Sequence, residues 1–276
     1  MESRRHAVPA VSAIGRLIVA VVVSVVVLGG FTPVATPGEV RAGTAETMES
    51  HLVGWINSSR AKLGLHPLRV HAGLTSLAGY RAGVMASTGV LSHTIAGCLS
   101  CSLISRGIQK YSDGEVIAEN TYPWGDQSAL ALFNWWKGSS MHWGLLMSRT
   151  FNYFGVGVAY RSSNRMTFGS VVLTESVDQT GGWSHLGSGS ANGTTVAWSW
   201  SGGDLWLQTH TAGLRNFDVE YRVDYGTWSV IRSGTTAKSL SLSGRVRSHY
   251  YAIRIRSRDW RGNMSAWSAE IPVWVR

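Results

Sequence analysis

Residues 153–160 read YFGVGVAY and residues 167–173 read TFGSVVL, with a polar turn at 162–165 between them. Short runs rich in valine and aromatic residues, bounded by a turn, are the mark of β-strands. What precedes them is helical in period. Met48, Leu52, Trp55, Ile56 and Leu63 recur at helical spacing, and Gly64 and Pro67 stop the run. Leu74, Leu77, Ala78, Arg81, Val84 and Met85 make a second amphipathic run that ends near Gly89. A third covers residues 128–136, with an apolar face read as Leu130, Ala131, Phe133 and one of Trp135 and Trp136. Residues 92–125 read as a long loop that carries both cysteines and two glutamates. Helices followed by a strand pair predict an α+β fold of α/β/α layers over residues 43–176.

Beyond Thr174 the texture changes. Residues 177–193 are rich in Gly and Ser and read as a linker. Residues 194–276 then alternate in the manner of strands: Val196, Trp198 and Trp200; Phe217, Val219, Tyr221 and Val223; Tyr251, Ile253 and Ile255; Ile271, Val273 and Val275. Six or seven short strands in so short a segment predict an all-β sandwich. Arg254, Arg256 and Arg258 fall on the face opposite the apolar one.

The N-terminal residues 1–42 read as a signal peptide and stem. Arg4, Arg5 and Arg16 precede residues 17–28, LIVAVVVSVVVL, an apolar core of signal-peptide length. A spanning helix needs about 20 apolar residues, so the segment predicts export, with membrane attachment only if it stays uncleaved. Ala35 and Ala42 both offer a small residue for cleavage. The expected location is secreted or cell-surface. The net charge of +9 sits mostly in residues 183–276, which hold 11 basic and 6 acidic residues. Such a surface suits anionic cell-surface polymers or lipid headgroups. No nucleic-acid motif accompanies the charge, so no nucleic-acid partner is expected. Cys98 and Cys101 form the one C-x-x-C. In an exported chain that spacing favours a local disulfide over a zinc knuckle, which needs two more ligands, or a thioredoxin-like motif.

Several motifs stand in a particular order. They are Ile56-Asn57-Ser58-Ser59-Arg60-Ala61, Leu91-Ser92-His93-Thr94, Ala118-Glu119-Asn120-Thr121, Trp136 with Ser139 and His142, and Gly155-Val156-Gly157-Val158-Ala159. Together they resemble the CAP superfamily, the SCP domain of cysteine-rich secretory proteins, antigen 5 and pathogenesis-related proteins, in its bacterial form. The resemblance implies a cleft with two histidines and one or two glutamates. His93 and His142 carry over directly. Glu119 is the preferred glutamate because Asn120 follows it, and Glu115 is the alternative. The second acid of animal and plant members is replaced by Ser139. His93, His142 and Glu119 are thus the implied ligands of a divalent cation such as Zn²⁺, and Glu119 or Glu115 the implied catalytic acid or base.

The C-terminal strands resemble a bacterial fibronectin type III module. The segments that carry this are Tyr221-Arg222-Val223-Asp224-Tyr225-Gly226 and Gly262-Asn263-Met264-Ser265-Ala266-Trp267-Ser268. Such modules act as spacers or binding surfaces, and Arg254, Arg256 and Arg258 are the candidate surface-binding row, with Arg256 placed to stack on Trp267 or Trp260. No G-x-S-x-G, H-E-x-x-H, Walker or G-x-G-x-x-G pattern is present. Three functions follow. The first is an exported protein that binds a small apolar or lipid ligand or a surface partner. The second is a metal-dependent extracellular hydrolase. The third is a wall-associated adhesion or scaffold protein that binds through its basic sandwich. The absent second acid favours binding over catalysis.

Overall fold

A computed structural model describes residues 44–276. The signal peptide and stem read at 1–42 lie outside the described residues. The first helix, α1 (Ala45–Lys62), starts at the N-cap Thr44, whose hydroxyl accepts from the Thr47 amide at 3.2 Å. Met48, Leu52 and Ile56, four residues apart, form one buried stripe, whereas Leu63 lies past the helix end and is exposed. Asn57 and Arg60 on the same helix fix the turn that follows. The Asn57 amide exchanges two hydrogen bonds with the Leu68 backbone, and the buried Arg60 guanidinium donates to the carbonyls of His66, Leu146 and Ser148.

The chain continues through β1 (Arg69–Val70), α2 (Ala72–Thr88), α3 (Leu99–Ser105), β2 (Ser112–Asn120), α4 (Asp126–Gly138), α5 (Ser140–Leu146), β3 (Tyr153–Arg161) and β4 (Met166–Glu175). The four strands make one sheet in the order β1-β3-β4-β2, with β1 parallel to β3 and the other pairs antiparallel. Helices α2 and α3 cover one face through Leu74, Leu77 and Leu103. Helices α1, α4 and α5 cover the other through Leu52, Trp136 and Leu146. The third apolar face differs from its sequence reading. Leu132, Phe133 and Trp136 point inward, and Leu130 and Trp135 are exposed.

Residues 92–125 are not one loop, since they contain α3 and β2. The strand escapes a pattern reading because Glu115 and Glu119 alternate with Val116 and Ala118 on a sheet covered on both faces. The motif on β3 acquires a physical reason. Val156 and Val158 enter the core below α1 and α4, and Gly155 and Gly157 turn toward α2. A Cβ on Gly155 would stand 2.0 Å from the Thr75 amide nitrogen, and one on Gly157 2.1 Å from that of Gly79. Only bare backbone lets the helix lie so close to the strand.

The C-terminal module comprises β5 (Trp183–Asn192), β6 (Thr195–Gly203), β7 (Leu214–Val223), β8 (Ser229–Thr235), β9 (Ser239–Leu242), β10 (His249–Asp259) and β11 (Ile271–Val275). They form two antiparallel sheets, β5-β6-β9 and β11-β10-β7-β8. Trp198, Trp200, Phe217, Ile253 and Ile255 fill the space between them, and the Trp198 indole donates to the Ile271 carbonyl at 3.0 Å. The linker expected at 177–193 is corrected here, because residues 183–192 are the first strand of the sandwich. This strand offers one buried apolar side chain, Leu186, and its inward Gly189 leaves room for Trp198, Ile271 and Val273. Its pairing is carried by backbone, so the alternation that marks a strand is missing. No helix among the described residues is long and apolar enough to cross a membrane.

The close approach of α2 to β3 makes a prediction. Gly157→Ala is expected to lower unfolding free energy by about 1–3 kcal/mol, the usual cost of overpacking. Gly54→Ala, on a helix surface with open space around it, is expected to gain about 0.5–1 kcal/mol. Urea unfolding of the two variants checks the contrast.

Candidate functional site

Along β2, residues 115, 117 and 119 face α2, and the residues between them face α1 and α4. Glu115 is therefore driven beneath the second helix, where Arg81 meets it. Both side chains are almost fully buried. Arg81 donates from Nε to Oε1 at 2.5 Å and from Nη2 to Oε2 at 2.9 Å, a two-pronged pair. The Ser170 hydroxyl, from β4, donates to Oε1 at 2.9 Å, and His93 Nδ1 sits 2.9 Å from Oε2. Each carboxylate oxygen thus has two partners, which fills its acceptor capacity. The other Arg81 donors hold the loop after α2, with bonds to the carbonyls of His93 at 2.5 Å and Gly97 at 3.2 Å.

His142 comes from the far side of the sheet. It lies on the first turn of α5, three residues after the N-cap Ser139. The Ser139 hydroxyl does not cap a backbone amide and instead lies 2.7 Å from His142 Nδ1. The Trp135 ring packs on the imidazole with centroids 4.9 Å apart. Burial first, and then the nearby His93, push His142 below the ordinary imidazole value. Both effects favour the neutral imidazole.

The two histidines are alike in their contacts, although the Ser139 hydroxyl can donate or accept where Glu115 only accepts. Each has Nδ1 engaged by an oxygen, and among the described residues neither Nε2 has a hydrogen-bond partner. Ionised Glu115 only accepts, so the proton of neutral His93 is on Nδ1 and the lone pair is on Nε2. An oxygen partner on the second nitrogen is how proteins orient imidazoles toward a cation.

The sequence reading preferred Glu119 and kept Glu115 as the alternative. Glu115 is the one bonded to His93, and Glu119 makes no side-chain hydrogen bond among the described residues. Nor do His93, His142 and Glu119 form a set whose ligand atoms all lie within 4.8 Å of one another. Asn120, which recommended Glu119, instead ties the end of β2 to Ser128 of α4 by two bonds. Arg81 and Ser170 were missed as site residues. A charged residue inside the apolar stripe Leu74, Leu77, Ala78, Arg81 was the available signal. Cys98 and Cys101 are joined as a disulfide at the start of α3.

Two further clusters lie in the sandwich and its junction. Arg254, Arg256 and Arg258 are held by carboxylates: Arg254 by Glu220 at 2.6 Å, and Arg256 and Arg258 by Asp218 at 3.0 and 3.1 Å. Arg222, Trp228, Arg254, Trp267 and Arg256 stack in alternation, so Arg256 takes Trp267 rather than Trp260. The carboxylates of Asp178, Asp204 and Asp259 lie within 4.8 Å of one another. All six oxygens accept hydrogen bonds, mostly from amides of residues 180, 205, 212, 213, 261 and 263. Burial, and then repulsion by the other two, raise the Asp204 carboxyl above its usual range, although backbone donors oppose this.

Residues 53–174 match the model of the cysteine-rich secretory protein family, CAP, so the α/β module carries a CAP domain. No curated protein matches the chain. Among solved structures, an extracellular SCP-domain protein of Bacillus anthracis is similar at 20% identity and a TM-score of 0.41, over 48% of this chain and 41% of that one. The chain thus spans about two fifths of that protein. An outer surface protein of Borrelia burgdorferi matches at 18% identity and a TM-score of 0.42, over 48% of this chain and 96% of its own. An Fn3-like protein of Clostridium thermocellum matches at 17% identity and a TM-score of 0.25, over 32% of this chain and 85% of its own.

Two predictions follow from the geometry. Arg81→Met strands a buried carboxylate and is expected to cost about 3–5 kcal/mol; adding Glu115→Gln should return part of it. Denaturant unfolding of the single and double variants measures this. His142 is expected to titrate below about 6.5, so its contribution to stability is present above that value and is lost as pH falls through its own lower midpoint. Imidazole NMR shifts report the midpoint, and a value at or above that of a free imidazole contradicts the account.

Proposed function

We propose that this is an exported, extracellular binding protein whose CAP domain presents His93 and His142 as a two-imidazole site for an exchangeable divalent cation such as Zn²⁺. The observation that carries the reading is the saturation of Glu115. A carboxylate that already accepts four bonds is neither a metal ligand nor a general base, and its work is to orient His93. Two imidazoles with water at the remaining positions make a weaker site than the three or four protein ligands usual for zinc. When bound, the ion offers a Lewis-acidic centre to a ligand oxygen. The protein supplies the rest: Ser139 and Glu115 fix the two rings, and Trp135, exposed on one side, lends the rim an apolar wall beside His142. That wall suits a small apolar or lipid ligand. Export rests on the charged and apolar N-terminal reading and on a family match named for secretory proteins.

The two other readings have less to rest on. A hydrolase needs an unoccupied carboxylate within reach of a bound water, and Glu119 is not bonded to either histidine. Adhesion through the basic row needs free guanidinium groups, and those of Arg254, Arg256 and Arg258 are held by carboxylates.

Cobalt titration followed by visible absorption tests the reading. Wild-type protein is expected to bind, and His93→Ala with His142→Ala is expected to abolish binding. Ser139→Ala is expected to weaken it about tenfold, as loss of a hydrogen bond to a ligand does. Cobalt absorption unchanged in the double variant, or absent from the wild type, rejects the site.

A further inference from the structure

The loop between β6 and β7, residues 204–213, belongs to the sandwich in sequence and to the CAP domain in packing. Its Leu207 is 3% exposed. It lies in the core cluster of the α/β module with Leu74, Leu77 and Ala78 of α2, Leu103 of α3 and Tyr153 of β3. Polar contacts pin the loop on both sides of this plug. The His66 amide donates to Gln208 Oε1 at 3.0 Å, Asn152 Nδ2 donates to the Thr209 carbonyl at 3.0 Å, and the Thr209 hydroxyl donates to the Thr150 carbonyl at 3.0 Å. His210 Nε2 lies 3.0 Å from a Glu175 carboxylate oxygen. Within the loop, the Leu207 amide is held by the Thr211 hydroxyl at 2.8 Å.

The residues that share a core cluster with Leu207 lead to His93 by two routes. On α2, Leu77 and Ala78 are four and three residues before Arg81, on the same helix face, and Arg81 grips the His93 and Gly97 carbonyls. On α3, Leu103 lies in the cluster and Leu99 packs against it. That helix begins at Cys98, braced by its disulfide and directly following Gly97. The His93 loop is therefore strung between two helices whose buried side chains share one core cluster with Leu207.

We propose that the sandwich is a positioning element of the His93 site, acting through Leu207. The imidazole keeps its place only while the loop of the second module completes the core of the first. In its cation readout this rests on the proposed function, but the positioning itself does not.

The test uses the full chain with Leu207→Ala, the volume-conserving Leu207→Met, and Leu240→Ala. The last removes a buried leucine from the sandwich core, away from the CAP domain. Amide hydrogen exchange of residues 92–105 is read beside cobalt affinity. Leu207→Ala is expected to speed exchange in that segment at least tenfold and to weaken cobalt binding about tenfold. Leu207→Met should restore both, and Leu240→Ala should lower the melting temperature while leaving both unchanged. Should Leu207→Ala not fold, Leu207→Val is expected to move both readouts in the same direction by less. Exchange in residues 92–105 that matches wild type in the Ala or Val variant overturns the proposal. Equal disturbance of that segment by Leu240→Ala also overturns it, since the effect is then general instability. A wild type that binds no cobalt removes the cation reading alone, and the exchange result still decides the positioning.

Discussion

The buried pair of Arg81 and Glu115 is the contact around which the CAP domain is arranged. A carboxylate sealed between a sheet and a helix is expensive to desolvate. Its cost is offset here by a two-pronged guanidinium, a serine hydroxyl and an imidazole. That requirement explains features that otherwise look unrelated. It explains a charged residue in the apolar stripe of α2, a serine inside β4, and a glutamate at a buried position of β2. The leftover donors of Arg81 then hold the chain that carries His93. Core electrostatics and the candidate site are one piece of structure.

A similar economy appears at His142. Ser139 precedes this imidazole by three residues, and its hydroxyl meets the ring from within the same helical turn. Burial, and then the nearby His93, favour the neutral form of the ring.

Much of the fold was legible because its signals are local. The stripe of Met48, Leu52 and Ile56 and the strand at 153–160 announce themselves by period. What escaped reading depends on distant partners. Strand β2 carries glutamates that only Arg81, from another element, makes tolerable. Strand β5 looks like a linker because backbone pairing, not side-chain burial, defines it. The bond between Glu115 and His93 escapes for the same reason: Asn120 marks a tie to α4, and the tie says nothing about which carboxylate meets His93. The arginine row misled in another way. Its charge is visible in sequence, whereas the carboxylates facing it lie on a neighbouring strand.

The candidate site depends on the state of one imidazole. Glu115, ionised and bonded to Arg81, requires that neutral His93 carry its proton on Nδ1 and leave Nε2 bare. Two-bond proton–nitrogen NMR spectra distinguish the tautomers directly, and zinc can be added to the same sample. The predicted result is that the neutral form of His93 carries its proton on Nδ1, with zinc shifting the Nε2 signals of His93 and His142 together. A His93 protonated at Nε2, or a zinc titration that leaves both signals unmoved, contradicts the claim that this carboxylate prepares the ring for a cation.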